Sequence, residues 1–219
     1  MNSVVLYHHL GLGDHFVCNG LVHQVSKDFD SIYLPCKVSN YPTVKYLYSE
    51  SPKINIFKIH NDEFCEISGF ASLMNLMILM VGFQNCDVKN WDRSFYNQLK
   101  IDFSERYNSF SLPKKNPDVL ISVPLEDYIL VHDESSITSY NLNIETNLKI
   151  VKIERGLSDN LFSFIDLIKN AKEIHCINSS VFHLIDSLND TTEKLYYHDI
   201  RRTDDSEFKV SDKWKIISY

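Results

Sequence analysis

Glycine is scarce in this sequence, at six of 219 residues, or about 2.7% against roughly 7% in average usage. Three of the six, Gly11, Gly13 and Gly20, fall within one ten-residue window. A chain so sparing with glycine spends it where backbone conformation or close approach requires it. Basic charge is also short. There are 22 Lys and Arg against 29 Asp and Glu, a net charge of −7, and the pI is near 5.7. Neither half is a basic module: up to Phe110 there are 9 basic and 11 acidic residues, and beyond it 13 and 18. This excludes a general nucleic-acid binder.

Cysteines number five, an odd count with no CxxC pair. That usage suits reduced, buried thiols in a cytoplasmic protein. The start Met1-Asn2-Ser3 has no basic region, and the apolar stretch after it is too short for a signal peptide. The one long run without charge, residues 67–86, is diluted by two Ser, two Asn, a Gln and two Gly. It reads as a turn followed by a buried strand at 76–81 and not as a transmembrane segment. Also missing are the third glycine of a dinucleotide fingerprint, the GKS or GKT of a P-loop, HExxH, a nucleophile elbow and paired glycosidase carboxylates.

What is present is alternation. Short apolar runs at 3–7, 31–34, 54–58, 76–81, 128–132, 148–153, 173–177 and 194–197 read as buried strands. Helical spacing fills 14–27, 41–48, 91–99, 160–170 and 179–188. Such alternation argues for parallel sheets in an α/β protein. A Pro- and Lys-rich break at 111–117 divides the chain. The expected architecture is two small Rossmann-like lobes facing a cleft, residues 1–112 and 113–219. A single doubly wound sheet is the alternative.

Ligands of open α/β sheets bind at the carboxyl ends of strands. After the first strand comes His8-His9-Leu10-Gly11-Leu12-Gly13-Asp14-His15. Gly11 and Gly13 suit a tight turn, and the following helix offers amides and a positive dipole end. Asp14 at the helix start should stay ionised and can act as a general base, or it can be a plain helix cap. His15, Asn19 and His132 are candidate substrate contacts. His8, His9, His15 and His23 crowd one segment, but neighbouring strand residues point to opposite faces, so no metal site is expected.

Leu12-Gly13-Asp14, on an early strand–loop–helix, resembles the Leu-Gly-Asp motif of the ADP-heptose:lipopolysaccharide heptosyltransferase-like group of GT-B-fold glycosyltransferases. In that group the aspartate is the proposed base, a role the resemblance carries to Asp14. The group's Asp-[Ser/Thr]-Gly-x-x-His-Leu stretch, which lines the nucleotide-sugar site, is similar to Asn178-Ser179-Ser180-Val181-Phe182-His183-Leu184. Asn178 replaces the family aspartate and Ser180 the glycine. The 128–132 strand with Asp133-Glu134-Ser135-Ser136 resembles the first strand and loop of the nucleotide-binding lobe, and Arg201 lies in a tail able to supply positive charge. The resemblance therefore implies a metal-independent transferase with no bound cofactor, with residues 1–112 on the acceptor side and 113–219 on the nucleotide-sugar side. It would take a nucleotide-sugar donor, contacted by Ser135, Ser136, Asn178, Ser179, Ser180, His183 and Arg201, and a carbohydrate acceptor. A non-catalytic nucleotide- or phosphosugar-binding protein, or an α/β interaction subunit, would use the same fold.

Overall fold

The computed structural model describes residues 2–135, 138–200 and 208–219. The chain divides into two compact units, one of residues 2–115 together with Phe208, the other running from Asn116 and including 209–219. The division falls three residues beyond the expected boundary, inside the Pro- and Lys-rich segment.

The first unit contains β1 (Ser3–Tyr7), α1 (Leu12–Val17), α2 (Asn19–Val25), β2 (Ser31–Lys37), α3 (Tyr41–Leu47), β3 (Ile54–Ile59), α4 (Glu63–Leu73), β4 (Met77–Met80), α5 (Trp91–Gln98) and α6 (Glu105–Asn108). Its sheet is parallel throughout, in the order β3-β2-β1-β4. Val4, Val5 and Leu6 of β1 are wholly buried, as a strand covered on both faces demands. One face packs on α4 through Val5, Tyr7, Leu10, Ile59, Ile67 and Ala71. Against α2, the backbone of α6 approaches so closely that a Cβ on Gly20 would collide with the Glu105 carbonyl. Arg106 then reaches Asp92 of α5 in a fully buried ion pair of 2.7 Å.

The second unit contains β5 (Tyr128–His132), β6 (Lys149–Lys152), α7 (Ile165–Asn170), β7 (Glu173–Cys176), α8 (Ser180–Ser187), β8 (Leu195–Asp199) and β9 (Trp214–Ser218). Its parallel sheet runs β6-β5-β7-β8-β9. Lys213 anchors β9 by donating to the Ile185, Asp186 and Leu188 carbonyls at the end of α8. Asp186 accepts from the Trp214 indole at 2.9 Å.

Four expectations need correction. The helix expected at 14–27 is two helices, broken at Cys18. β2 continues through Pro35 to Lys37, since one missing N–H removes only a single ladder bond. The turn expected ahead of β4 is the eleven-residue α4. It is started by Asp62, which accepts from the Cys65 amide, and by Glu66, which accepts from the His60 and Asn61 amides. The strand after it is not buried, for Met77 and Met80 are exposed. Gly20→Ala is expected to destabilise the first unit by about 1–3 kcal/mol, because backbone and not a side-chain tip blocks the methyl. A urea titration measures this, and an unchanged midpoint would contradict the close approach of α6.

Candidate functional site

In the first sheet the chain steps from β1 to β2 to β3 and then returns to the other side of β1. The topological switch point is therefore between the carboxyl ends of β1 and β4, where open α/β sheets place their crevice. The glycine loop stands there. Gly11 is the cap residue of α1 with φ −65°, an ordinary value, so it is glycine for space and not for backbone conformation. A Cβ there would collide with the Asp14 carboxylate. Asp14 is the third helical residue, not the cap. The backbone amides of Asp14 itself and of Gly11 favour the charged form of its carboxyl.

Burial raises the Asp14 pKa to about 6, against the opposing influence of His9, the two amides and Lys37. The helix start alone would have kept the carboxyl low; desolvation outweighs it. At neutral pH the group is mostly ionised, yet it is a stronger base than an ordinary carboxylate.

The break behind Asp14 has a definite cause. The Tyr96 hydroxyl donates to the Val17 carbonyl at 2.7 Å and accepts from the Leu21 amide at 3.2 Å. These are the two groups that an uninterrupted helix would pair directly, and a side chain placed in that ladder bends it. α5 thereby sets the direction of the short helix carrying Asp14.

The other expected residues of this loop separate. Gly13 is the second residue of α1 and partly exposed. His15 and Asn19 have no exposed surface. The His15 ring meets the His8 ring edge-on at 4.7 Å. Burial holds the His15 pKa well below its usual value and lowers that of His8 to about 4. Asn19 accepts from the Ser111 amide at 2.8 Å, tying down the segment that leads to the second unit. These residues support the loop from inside.

The residues not foreseen near Asp14 are His9 and Lys37, whose charges act on its carboxyl, together with Glu63, which contacts Lys37, and Phe83, which contacts His9. His9 donates through Nε2 to the Gly82 carbonyl at 3.0 Å. Gly82 has φ +89° and no room for a Cβ beside Phe95, so it turns the chain after β4 and presents Phe83. The Phe83 ring lies between Tyr7 and His9, at 4.4 and 4.7 Å. Lys37 pairs with Glu63 at 2.8 Å, and Glu63 accepts from the Tyr7 hydroxyl at 3.3 Å. A glycine directly after the apolar run 76–81 was the available signal for Gly82.

In the second unit the switch point lies between β5 and β7. Their carboxyl ends bring together His132, Ser135, Asn178, Ser179 and Ser180. Ser179 caps α8: its Oγ accepts from the Phe182 amide at 3.2 Å and its carbonyl from the His183 amide at 3.1 Å. The Ser180 and Val181 amides remain as the first-turn donors at the sheet end. His132 is buried, with a lowered pKa, and its Nδ1–H donates to the Ile153 carbonyl at 2.8 Å. The Ser135 hydroxyl donates to the Thr138 carbonyl at 3.1 Å and accepts from the Thr138 amide at 3.0 Å. His183 is 4% exposed and belongs to the core side of α8. Lys152 and Arg155 are engaged by Asp133 and Glu134. Ser136 and Arg201 lie outside the described residues.

Tyr96→Phe removes the bridge between α1 and α2. It is expected to cost about 1–2 kcal/mol in a denaturant titration and to speed hydrogen exchange at the Leu21 amide. If neither changes, the hydroxyl does not hold the bend.

Among the described residues no three His, Cys, Asp or Glu side chains converge as a metal site, and no helix is long and apolar enough to cross a membrane. No family model and no curated protein matches the chain. Solved structures do. The iron-containing dodecameric glycosyltransferase TibC from enterotoxigenic E. coli is similar with a TM-score of 0.60 and 11% identity, over 98% of this chain and 62% of TibC. This chain therefore spans less than two thirds of TibC. The glycosyl transferase family 9 structure from Veillonella parvula gives a TM-score of 0.55 at 9% identity, over 100% of this chain and 86% of that one. E. coli ADP-heptose lipopolysaccharide heptosyltransferase II gives 0.52 at 12% identity, over 99% and 90%. At these identities the likeness is one of fold: two α/β lobes, each on a parallel sheet, in the GT-B-like manner of these glycosyltransferases.

Proposed function

We propose that this protein is a cytoplasmic glycosyltransferase that moves a sugar from a nucleotide-activated donor to a hydroxyl of a carbohydrate acceptor, with Asp14 as the general base. The observation that carries the reading is Asp14 itself, a carboxylate at a sheet switch point whose pKa is raised to about 6. In the reaction, an Asp14 oxygen takes the acceptor hydroxyl proton as the acceptor oxygen bonds to the anomeric carbon. The bond from that carbon to the diphosphate breaks, and its electron pair leaves on the nucleoside diphosphate. The Ser180 and Val181 amides, at the positive end of α8, are suited to that developing charge, so the mechanism calls on no metal ion. One similar structure, TibC as a heptosyltransferase, holds ADP-D-β-D-heptose, which supports a nucleotide-sugar donor here.

A second reading, nucleotide or phosphosugar binding without turnover, is favoured by Asn178 and Ser180 standing where the resembling family has aspartate and glycine. Thermal shift against a panel of nucleotides and nucleotide sugars, paired with product detection by mass spectrometry, separates the two. A shift with product supports transfer, a shift alone supports binding, and no shift with any of them contradicts both.

Asp14→Asn is expected to abolish transfer while the circular dichroism spectrum stays unchanged. In the parent protein the rate should rise with pH through about 6 and then level off, since the base acts deprotonated. Stability moves the other way. A carboxyl whose folded pKa lies above its unfolded value destabilises the fold as pH rises from the unfolded towards the folded pKa, and the penalty is constant beyond. Asp14→Asn should therefore stabilise the protein at pH 7 by about 1 kcal/mol, after discounting for solvent screening. Undiminished turnover by that variant would overturn the assignment of the base.

A further inference from the structure

In the second sheet β7, β8 and β9 lie side by side, and residues two apart on a strand share a face. On one face Tyr197 and Trp214 pack against Phe182 of α8. The other face carries a row of polar rings. His175 of β7 stands opposite Tyr196 of β8 and stacks on it, with ring centroids 4.6 Å apart and planes 10° from parallel. His198 comes two residues later on β8, and Tyr219 directly follows β9.

These rings form a line. The His198 Nε2 and His175 Nδ1 atoms are 2.9 Å apart, and the His198 Nδ1 atom is 2.7 Å from the Tyr219 hydroxyl. His175 Nε2 has no hydrogen-bond partner among the described residues and faces a Glu173 carboxylate oxygen at 3.9 Å. Both imidazoles are buried, whereas Tyr219 is 64% exposed. Burial lowers the His198 pKa to about 4 and lowers that of His175 as well, so each ring is neutral at pH 7 and carries one N–H. Were the His175 proton on Nδ1, its bare Nε2 would turn a lone pair towards the Glu173 carboxylate. The proton therefore sits on Nε2, and Nδ1 accepts from the His198 Nε2–H. That leaves His198 Nδ1 to accept from the Tyr219 hydroxyl. An exposed phenol, two buried rings and a carboxylate stand in the order by which a nucleophile is given its base.

We propose that the Tyr219 phenol is the nucleophile of a second site and takes a glycosyl group from a nucleotide-sugar donor, a step that rests on the transferase activity proposed for this protein. Tyr219 leaves β9 at the carboxyl edge of the sheet, the edge where the Ser180 and Val181 amides stand. β9 is two strand spacings, or about 10 Å, from β7. In the step, the Tyr219 oxygen bonds to the anomeric carbon, the bond from that carbon to the diphosphate breaks, and its electron pair leaves on the nucleoside diphosphate. The phenolic proton passes to His198 Nδ1, and the His198 Nε2 proton passes to His175 Nδ1. His175 becomes an imidazolium beside Glu173, whose charge favours that form. The product is the protein itself bearing one sugar.

Acetylation of the full chain by N-acetylimidazole at neutral pH, located by peptide mass spectrometry, tests the nucleophile without any donor. Tyr219 should be labelled about 10-fold or more faster in the parent than in His198→Phe. It should also be faster than in Glu173→Gln, a partly exposed position whose change leaves both imidazoles in place. Equal rates in the parent and either folded variant overturn the relay. Incubation with the nucleotide sugars of the thermal-shift panel then tests the glycosyl group. The expected result is one sugar on Tyr219, absent from Tyr219→Phe and retained by Asp14→Asn, since His198 and not Asp14 serves this hydroxyl. A panel that shifts the melting temperature yet leaves Tyr219 bare overturns this site and not the transferase. A panel that shifts nothing overturns both, and a label lost in Asp14→Asn overturns the relay as its base.

Discussion

The hydroxyl of Tyr96, set between the Val17 carbonyl and the Leu21 amide, is the interaction on which the geometry of the first lobe turns. It ties α5 to the joint between α1 and α2, and the other links close a ring around it. Arg106 of α6 pairs with Asp92 of α5 in full burial, and α6 lies on α2 at Gly20. Removing one partner of such a buried ion pair costs about 3–5 kcal/mol, because the other charge is left without compensation. The helix carrying Asp14 is thus aimed by residues 78 to 92 positions away in sequence.

Two opposed influences meet at Asp14. A helix start and two amides favour the carboxylate, whereas the closely packed loop removes water from it. Burial prevails and the pKa rises to about 6. The absence of a side chain at Gly11 lets the carboxylate fold back on the loop, and the nearby charges of His9 and Lys37 limit the rise. Scarce glycine is used at three kinds of place in this lobe: under a carboxylate at Gly11, between two helix backbones at Gly20, and in a left-handed turn at Gly82. A pair of acidic residues, Asp14 and Glu63, flanks Lys37, with Phe83 presented nearby.

Much of this was legible in the sequence. β1, β3, β5 and β7 read as apolar runs because each is covered on at least one face by helices, and the glycine loop read as a strand-to-helix passage. The proximity of the Pro- and Lys-rich segment to the division between lobes followed from composition. What escaped has physical reasons. The break at Cys18 comes from a tyrosine far along the chain, and local periodicity contains no trace of it. α4 was hidden because its outward side is as apolar as its inward side, which removes the amphipathic signal. β4 reads as buried because Met-Ile-Leu-Met is an interior strand's sequence. β9 follows a polar stretch and owes its place to Trp214 and Lys213 bonding to the end of α8. At the site, the motif singles out Asp14, whereas His15 and Asn19, close to it in sequence, are buried. Helical geometry sends residues one and five positions apart to different sides.

The most direct test is the titration of the Asp14 carboxyl carbon itself, followed by carbon-detected NMR in the intact protein and assigned by its disappearance in the asparagine variant. A midpoint near 6 is the predicted result, and it would establish a desolvated carboxylate poised as a base at the switch point. A midpoint at or below the ordinary aspartate value of 3.8 would contradict it. The carboxylate would then be a solvated cap held by the start of α1, and the site would have lost its base.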